Sequence, residues 1–111
     1  MDNMLSVLES YMPPDPDDIA RKIADDFRRR RIERGLTREA VAKKSGVALA
    51  NITRFEQRAL ISLKNLILLA ISMDYLQELR DIFNAPKYST MEELLQIRRN
   101  MGKKKAYSRK P

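Results

Sequence analysis

The sequence predicts an all-α fold, and three observations support this prediction. Apolar residues recur at the i, i+3 and i+4 spacing of amphipathic helices in successive segments of the chain. No segment alternates apolar and polar residues in the way that a half-buried strand does. Residues that cap helix N-termini precede most of the periodic segments, and a glycine follows the first two main segments, at Gly35 and Gly46.

The first main helix is predicted at about Pro16–Arg34, where Asp15 can cap it, Pro16 fits the first helical turn and Gly35 ends it. Its apolar face carries Ile19, Ile23, Ala24 and Phe27. Its four consecutive arginines, Arg28–Arg31, fan around most of the helix circumference, so we expect some of them to lie along the apolar body with their charged ends in water. The later helices are expected to be capped by Thr37, Ser62, Asp74 and either Ser89 or Thr90. The next predicted helices span about Arg38–Lys44, Leu49–Arg58, Leu63–Met73 and Tyr75–Phe83. A last helix follows them, with an apolar stripe at Met91–Ile97.

Three regions follow from this pattern: an acidic N-terminal extension at residues 1–15, a helical domain at 16–84, and a C-terminal helix with a basic tail at 85–111. Residues 1–12 are either a short amphipathic helix or a loosely ordered arm. The chain of 111 residues has a net charge of +7, but all 22 basic residues and ten of the 15 acidic residues follow residue 18, which gives that part +12. Such a charge favours nucleic acid as a partner, with an anionic membrane second and a basic protein without any such partner as the alternative.

The composition excludes several kinds of chemistry. The chain has no Cys and no His, so it has no disulfide, thiol nucleophile, imidazole base or common zinc ligand. We therefore expect no enzyme activity, no cofactor and no metal site. No apolar run reaches the ~20 residues of a membrane span, and the acidic N-terminus lacks the features of a signal peptide, so a cytoplasmic, nucleoid-associated protein is predicted.

The most informative stretch is Leu36–Gln57. Two short helices that cross steeply on a tight turn need a small residue at the crossing (Ala42), a turn glycine (Gly46) and apolar residues that hold the second helix down (Val47, Ile52, Phe55). The chain supplies these in the order of a DNA-binding helix-turn-helix. We expect all five residues in the core, with no direct chemistry, and a structural role for Glu56.

This stretch also resembles the Cro/phage-repressor-like (XRE) helix-turn-helix family. The resemblance rests on Leu36-Thr37, Glu39, Val41-Ala42, Ser45-Gly46-Val47 and Ile52-Thr53-Arg54-Phe55-Glu56, and it extends over about Ile19–Phe83. It implies a five-helix repressor-like domain whose third helix enters the major groove of DNA.

The resemblance also implies the residues that contact DNA. Leu49, Ala50 and Asn51 match the start of the recognition helix, Thr53 and Arg54 lie one turn further along its outward side, and Arg54 is expected at a guanine edge or a phosphate. Thr37 and Arg38 match the phosphate-binding start of the second helix. The amides of Ser62–Lys64 are expected at another phosphate, with Arg58 and Lys64 adding charge.

Three departures from the family pattern concern this site. Ala48 replaces the usual capping Ser or Thr, at a cost of about 1 kcal/mol of local helix stability. Leu49 and Ala50 are apolar where hydrogen-bonding residues are common, which suits thymine methyl groups or indicates weak base discrimination. Leu60 and Ile61 occupy a loop that is normally polar, where they either pack inward or contact a protein.

The predicted function is a sequence-specific transcriptional regulator, a repressor that binds a palindromic operator as a homodimer. Candidate dimer surfaces are the Tyr75–Phe83 helix, the Met4–Met12 segment and the Met91–Ile97 helix. Two alternatives are an adaptor that uses Leu49, Ala50, Leu60 and Ile61 to bind a protein, and an RNA-binding or nucleic-acid-packaging protein that acts through its tail.

Residues 98–111 carry seven basic and no acidic residues, which favours an arm that tracks DNA over a merely solubilising end. The layout with MEELLQIRRNMGKKKAYSRK also resembles antitoxin-repressors encoded beside HipA-type kinase toxins, and it is equally compatible with a repressor of a phage or mobile element.

Overall fold

The computed structural model describes residues 12–103, so the predictions for the N-terminal segment before Met12 and for the tail after Lys103 lie outside the described residues. The described part of the chain contains six helices and no strand, which confirms the predicted all-α class. The helices are α1 Pro16–Glu33, α2 Arg38–Ser45, α3 Leu49–Arg58, α4 Leu63–Ser72, α5 Leu76–Arg80 and α6 Met91–Met101.

Side-chain caps begin most of these helices, as the sequence predicts. Asp15 Oδ1 accepts a hydrogen bond from the Asp17 amide at 2.9 Å, and Thr37 Oγ1 accepts one from the Ala40 amide at 3.0 Å. Ser62 and Thr90 cap α4 and α6 in the same way. These bonds satisfy amides that have no partner inside the helix. Ala48 supplies no such bond, so α3 begins without a side-chain cap.

The core forms where α1, α2, α3 and α4 meet. α1 packs against α3, and α2 packs against both α3 and α4. Six buried residues form one apolar cluster: Ala24, Val41, Val47, Ile52, Phe55 and Leu69. The Phe27 and Phe55 rings contact each other across α1 and α3, with centroids 5.5 Å apart. This cluster fixes α3 against the rest of the domain.

The predicted apolar face of α1 is only partly used. Ala24 is buried and Phe27 packs against the core, but Ile19 and Ile23 are 49% and 46% exposed. α1 has 18 residues and α3 has ten, so α1 is longer than the helix on which it packs. Gly46, which the sequence analysis put in the core, is instead exposed, because it forms the turn between α2 and α3.

The fifth helix is shorter than predicted. It covers Leu76–Arg80 rather than Tyr75–Phe83, and Asp74 does not cap it. Asp74 has a φ of 67° and ends α4: its amide donates to Ile71 O at 3.3 Å, and the Tyr75 amide donates to Ala70 O at 2.8 Å. This pair of bonds is the Schellman arrangement of a helix C-terminus, which takes the place of the expected N-terminal cap. Phe83 is 98% exposed and does not belong to an apolar helix face.

The chain divides after Leu79 into two compact units. In the second, the described residues hold α6, which has no buried residue and follows an exposed connector that contains Pro86. Within residues 12–103 no helix is both long enough and apolar enough to cross a membrane.

Candidate nucleic-acid interface

The turn between α2 and α3 sets the angle between these two helices. Gly46 has a φ of 82°, in the left-handed region that glycine adopts without a steric penalty, and its amide donates to Ala42 O at 2.9 Å. The Val47 amide then donates to Ser45 Oγ at 3.1 Å, and the Val47 side chain is buried. The turn is therefore closed by its own hydrogen bonds and held to the core by one apolar side chain.

One side of α3 faces the domain. Ile52 and Phe55 are buried in the apolar cluster, and the Glu56 side chain is buried beside them. These positions follow each other at i, i+3 and i+4, so they occupy one strip of the helix. The opposite strip is consequently left outside the domain.

The outward strip of α3 carries Ala50, Arg54 and Gln57, which are all exposed. Asn51 and Thr53 flank this strip and are half-buried. Of the predicted recognition residues, the structure thus brings Ala50, Asn51, Thr53 and Arg54 together on one face, with Arg58 exposed at its C-terminal end. The strip contains no acidic side chain, because Glu56, the one carboxylate of α3, points into the domain.

Two details of this face differ from the sequence analysis. Leu49 is 39% exposed but follows the spacing of Ile52 and Glu56, so it lies at the margin of the outward strip. Gln57 was not predicted, although it lies three residues after Arg54 and shares its face. That i, i+3 spacing was a signal by which Gln57 could have been found.

A buried ion cluster lies behind the outward strip. Glu56 accepts two hydrogen bonds from Arg31 of α1, Nε to Oε2 at 2.7 Å and Nη2 to Oε1 at 2.9 Å. Arg38 Nε also donates to Glu56 Oε1, at 2.9 Å. Arg31 donates further to Leu36 O at 2.8 Å, and only 10% of its side chain is exposed. The structural role predicted for Glu56 agrees with this cluster. Arg31 is the member of the arginine run whose charged end is withdrawn from water, because the buried carboxylate binds it.

The charge state of Glu56 depends on these arginines. Burial by itself would raise the pKa of the Glu56 carboxyl, but the hydrogen bonds and positive charges of Arg31 and Arg38 outweigh burial and hold the pKa below its ordinary value. Glu56 is therefore ionised near neutral pH. A buried carboxylate with well-placed donors of this kind fixes the geometry of the side chains around it.

A second arginine of α1 binds the C-terminal end of α3. Arg21 Nη1 donates to Glu56 O at 3.0 Å, and Nη2 donates to Gln57 O at 2.9 Å. The last carbonyls of a helix have no intrahelical partner and carry partial negative charge, so a guanidinium satisfies them well. Arg21 and Arg31 together connect α1 to both the backbone and the side chains of α3.

The N-termini of α2 and α4 belong to the same compact unit as the outward strip of α3. Thr37 is exposed and caps α2, and Arg38 is its first residue, with 32% of the side chain exposed. Ser62 caps α4, where Leu63 and Lys64 are exposed. Backbone amides at such helix starts suit an anionic group, and Arg38 and Lys64 add positive charge to them. In the loop before α4, Ile61 packs against the core and Leu60 is 58% exposed.

The described residues contain no group of three or more His, Cys, Asp or Glu side chains that could hold a metal ion. The arrangement offers hydrogen-bond donors and positive charge on an exposed helical face. Such a face suits recognition of a polyanion by contact.

Comparison with known proteins agrees with this geometry. No match to the chain is found among curated proteins or among solved structures. A family model described as Helix-turn-helix matches residues 27–75, which begin in the second half of α1 and end just after α4. The matched segment contains the whole of α2, α3 and α4, so this part of the chain is similar to the helix-turn-helix family.

Proposed function

We propose that this protein is a sequence-specific DNA-binding regulator that inserts α3 into the major groove. The observation that carries the proposal is the division of α3 into a buried strip of Ile52, Phe55 and Glu56 and an outward strip that includes Arg54 and lacks acidic groups. A major groove accepts a helix of this kind, and base edges are read by the side chains that the helix presents to them.

Arg54 is the residue that we propose reads a base. Its exposed guanidinium lies midway along the outward strip and is long enough to form a bidentate contact with guanine O6 and N7. Ala50 and Leu49, near the start of α3, suit contact with thymine methyl groups, and Asn51 and Thr53 offer hydrogen bonds at the margins. Gln57 extends the strip and suits adenine.

Phosphate contacts would orient α3 in the groove. Thr37 and Arg38 begin α2 and the Ser62–Lys64 segment begins α4, so two helix N-termini and the side chains of Arg38 and Lys64 are offered to the DNA backbone. Arg58, at the end of α3, adds a further positive charge. Phosphate contacts of this kind supply affinity and register but carry no sequence information.

One such domain reads only a few base pairs, and a homodimer on a palindromic operator would supply the missing specificity. We propose repression as the mode of regulation, since a dimer that covers an operator blocks access to it. Tyr75 and Ile82 lie on either side of α5 and are 38% and 55% exposed, and Met91, which begins α6, is 68% exposed. The segments around α5 and at the start of α6 are therefore candidates for the dimer contact.

The experiment is selection of bound duplexes from a random DNA library by the wild-type protein and by Arg54→Ala. The wild type should enrich a palindrome, and Arg54→Ala should lose or relax its preference at one position of each half-site, at a cost of about 1–3 kcal/mol for the intended base. Arg29→Ala is the matched control, because Arg29 is an exposed arginine of α1 that pairs with Asp26 at 3.2 Å. The control should enrich the wild-type palindrome. Salt-sensitive binding of duplexes with no enriched sequence would contradict the proposal.

A second candidate function is an antitoxin or adaptor that holds a protein partner, such as a HipA-type kinase toxin. The observation that favours it is the exposure of Leu60 and Leu63, at 58% and 69%, in and just after the loop between α3 and α4. Leu60→Asp with Leu63→Asp should abolish capture of such a partner while Arg54→Ala leaves it intact. If the double leucine variant still captures the partner and Arg54→Ala does not, the partner binds the outward strip of α3 and not the surface of Leu60 and Leu63.

A further inference from the structure

The four consecutive arginines of α1 differ in their partners. Arg29 pairs with Asp26 at 3.2 Å, Arg30 pairs with Glu33 at 3.0 Å, and Arg31 pairs with Glu56 at 2.7 Å. Arg28 has no ion pair of this kind: its shortest one among the described residues joins its Nε to Glu56 Oε1 at 4.0 Å. Arg28 is therefore the member of the run whose charge is least compensated.

The carboxylate that Arg28 approaches is already occupied. Both oxygens of Glu56 accept hydrogen bonds from Arg31, and Oε1 accepts a further one from Arg38. Three guanidinium groups thus surround one carboxylate, which leaves two positive charges uncompensated at this point. Like charges brought together at the edge of a domain repel each other, and an anion that binds between them removes the repulsion.

The three arginines around Glu56 differ in how exposed their side chains are. The exposed fraction of the side chain is 10% for Arg31, 32% for Arg38 and 56% for Arg28. Arg31 is the inner, structural member, and Arg38 uses Nε to hold Glu56, which leaves its Nη donors available. Arg28 and Arg38 come from different helices, but the Nε atoms of both lie within 4.0 Å of the same Glu56 oxygen, at 4.0 Å and 2.9 Å.

We infer that Arg28 and Arg38 form one anion site that binds a single phosphate of the DNA backbone. This inference rests on the proposed function, and it extends the DNA-binding surface from α2 onto α1, to a residue outside the predicted contacts. Glu56 positions both arginines, and the N-terminus of α2, with its free first amides, lies at the same place because Arg38 is its first residue. Two guanidinium groups provide planar sets of donors that match phosphate oxygens.

The test compares Arg28→Ala with Arg29→Ala, which makes the same charge change at the next residue. Binding is measured by fluorescence anisotropy on a mixed-sequence duplex and on the selected duplex, over a series of salt concentrations. Arg28→Ala should weaken binding to both duplexes by the same factor, because a phosphate contact is the same in every sequence. It should also lower the dependence of log affinity on log salt concentration (the salt slope) by up to about one unit, because one phosphate contact is lost. Arg29→Ala should leave the slope close to that of the wild type.

A double-variant cycle tests whether the phosphate is shared. If Arg28 and Arg38 bind the same phosphate, the loss for Arg28→Ala with Arg38→Ala is smaller than the product of the two single losses. Independent losses would overturn the shared site. Equal behaviour of Arg28→Ala and Arg29→Ala would overturn the role of Arg28 altogether, while wild-type selection of a palindrome would still support the proposed function.

Thermal unfolding separates this role from a structural one. Arg28→Ala removes no hydrogen bond among the described residues and relieves repulsion from Arg31 and Arg38, so its Tm should equal or exceed that of the wild type. A lowered Tm that accounts for the weaker binding would show that Arg28 stabilises the domain instead, which would contradict the inference.

Discussion

α3 and α6 have nearly the same length and are both amphipathic, but they are stabilised in different ways. α3 has ten residues and α6 has 11. α3 buries Ile52, Phe55 and Glu56, whereas no residue of α6 is buried and Leu95 is 44% exposed. The same periodicity therefore predicts both helices correctly, but it does not predict whether the apolar strip has a partner.

The N-terminal caps differ in the opposite sense to burial, because the exposed helix α6 has a side-chain cap and the packed helix α3 has none. α6 begins with Thr90, whose hydroxyl accepts from the Glu93 amide at 3.1 Å, and Glu93 Oε1 in turn accepts from the Ser89 amide at 2.6 Å. α3 begins at Ala48 without a side-chain cap. α6 thus carries strong local signals, while α3 depends on tertiary contacts: its apolar anchors, the Arg31–Glu56 pair and the bonds from Arg21. A helix held by distant residues presents its outward strip at a fixed angle, which groove recognition requires.

The largest effect is expected from the buried ion cluster. Glu56→Ala leaves Arg31 buried without its carboxylate, and loss of one partner from such a pair costs about 3–5 kcal/mol of the free energy of unfolding. Glu93→Ala, which removes the exposed carboxylate of α6, should cost much less. Urea denaturation followed by far-UV circular dichroism measures both. Equal losses would mean that the two helices are stabilised in the same way.

The apolar anchors should give the next largest difference. Ile52 is fully buried, and Ile52→Ala should lower the free energy of unfolding by about 2–5 kcal/mol, because it removes buried methylene groups and leaves a cavity. Leu95→Ala in α6 should change it by roughly 0.5 kcal/mol or less, as is usual for surface positions. Urea midpoints of the two variants at pH 7 make the comparison, and a large loss for Leu95→Ala would show that α6 packs on a partner.

A smaller effect is expected from acidification. The pKa of Glu56 is lower in the folded protein than in the unfolded chain, so its ionisation stabilises the fold above the unfolded-state pKa, and this contribution is lost as the pH falls through the folded-state pKa. The pKa values of Asp26 and Glu93 are also lowered, so their ionisation likewise stabilises the fold, and this contribution is likewise lost on acidification. Glu56→Gln should therefore show a smaller drop in Tm on acidification than the wild type. A wild-type pH dependence in Glu56→Gln would assign the acid sensitivity to other groups.

Local signals in the sequence were sufficient for most of the fold. Capping residues predicted the starts of α1, α2, α4 and α6, and the glycine after α2 predicted the turn that precedes α3. The prediction failed where an aspartate that suits an N-cap instead adopted a left-handed backbone at Asp74, which ended α4 and left α5 short. An aspartate between two helices can either cap the start of the second helix or end the first. Which of the two occurs depends on the carbonyl groups that lie near its backbone amide.

The site was predicted less completely than the fold, for a related reason. Family resemblance and helical spacing were sufficient to place Ala50, Asn51, Thr53 and Arg54 on one face, but Arg31 and Arg21 act on α3 from 25 or more residues away in sequence. Four consecutive arginines look alike in sequence, and only the packing of α1 on α3 distinguishes the buried Arg31 from the exposed Arg28. Partners that are distant in sequence leave no periodic signal.

The most direct test of the central claim is a titration of the ¹⁵N-labelled protein with its selected duplex, followed by NMR amide shifts. The account predicts that the largest changes fall at Thr37–Arg38, along Leu49–Arg58 and at Ser62–Lys64, and that Arg54→Ala reduces those in α3. Changes concentrated in Met91–Met101, with the amides of α3 unmoved, would contradict the claim that the helix-turn-helix reads DNA.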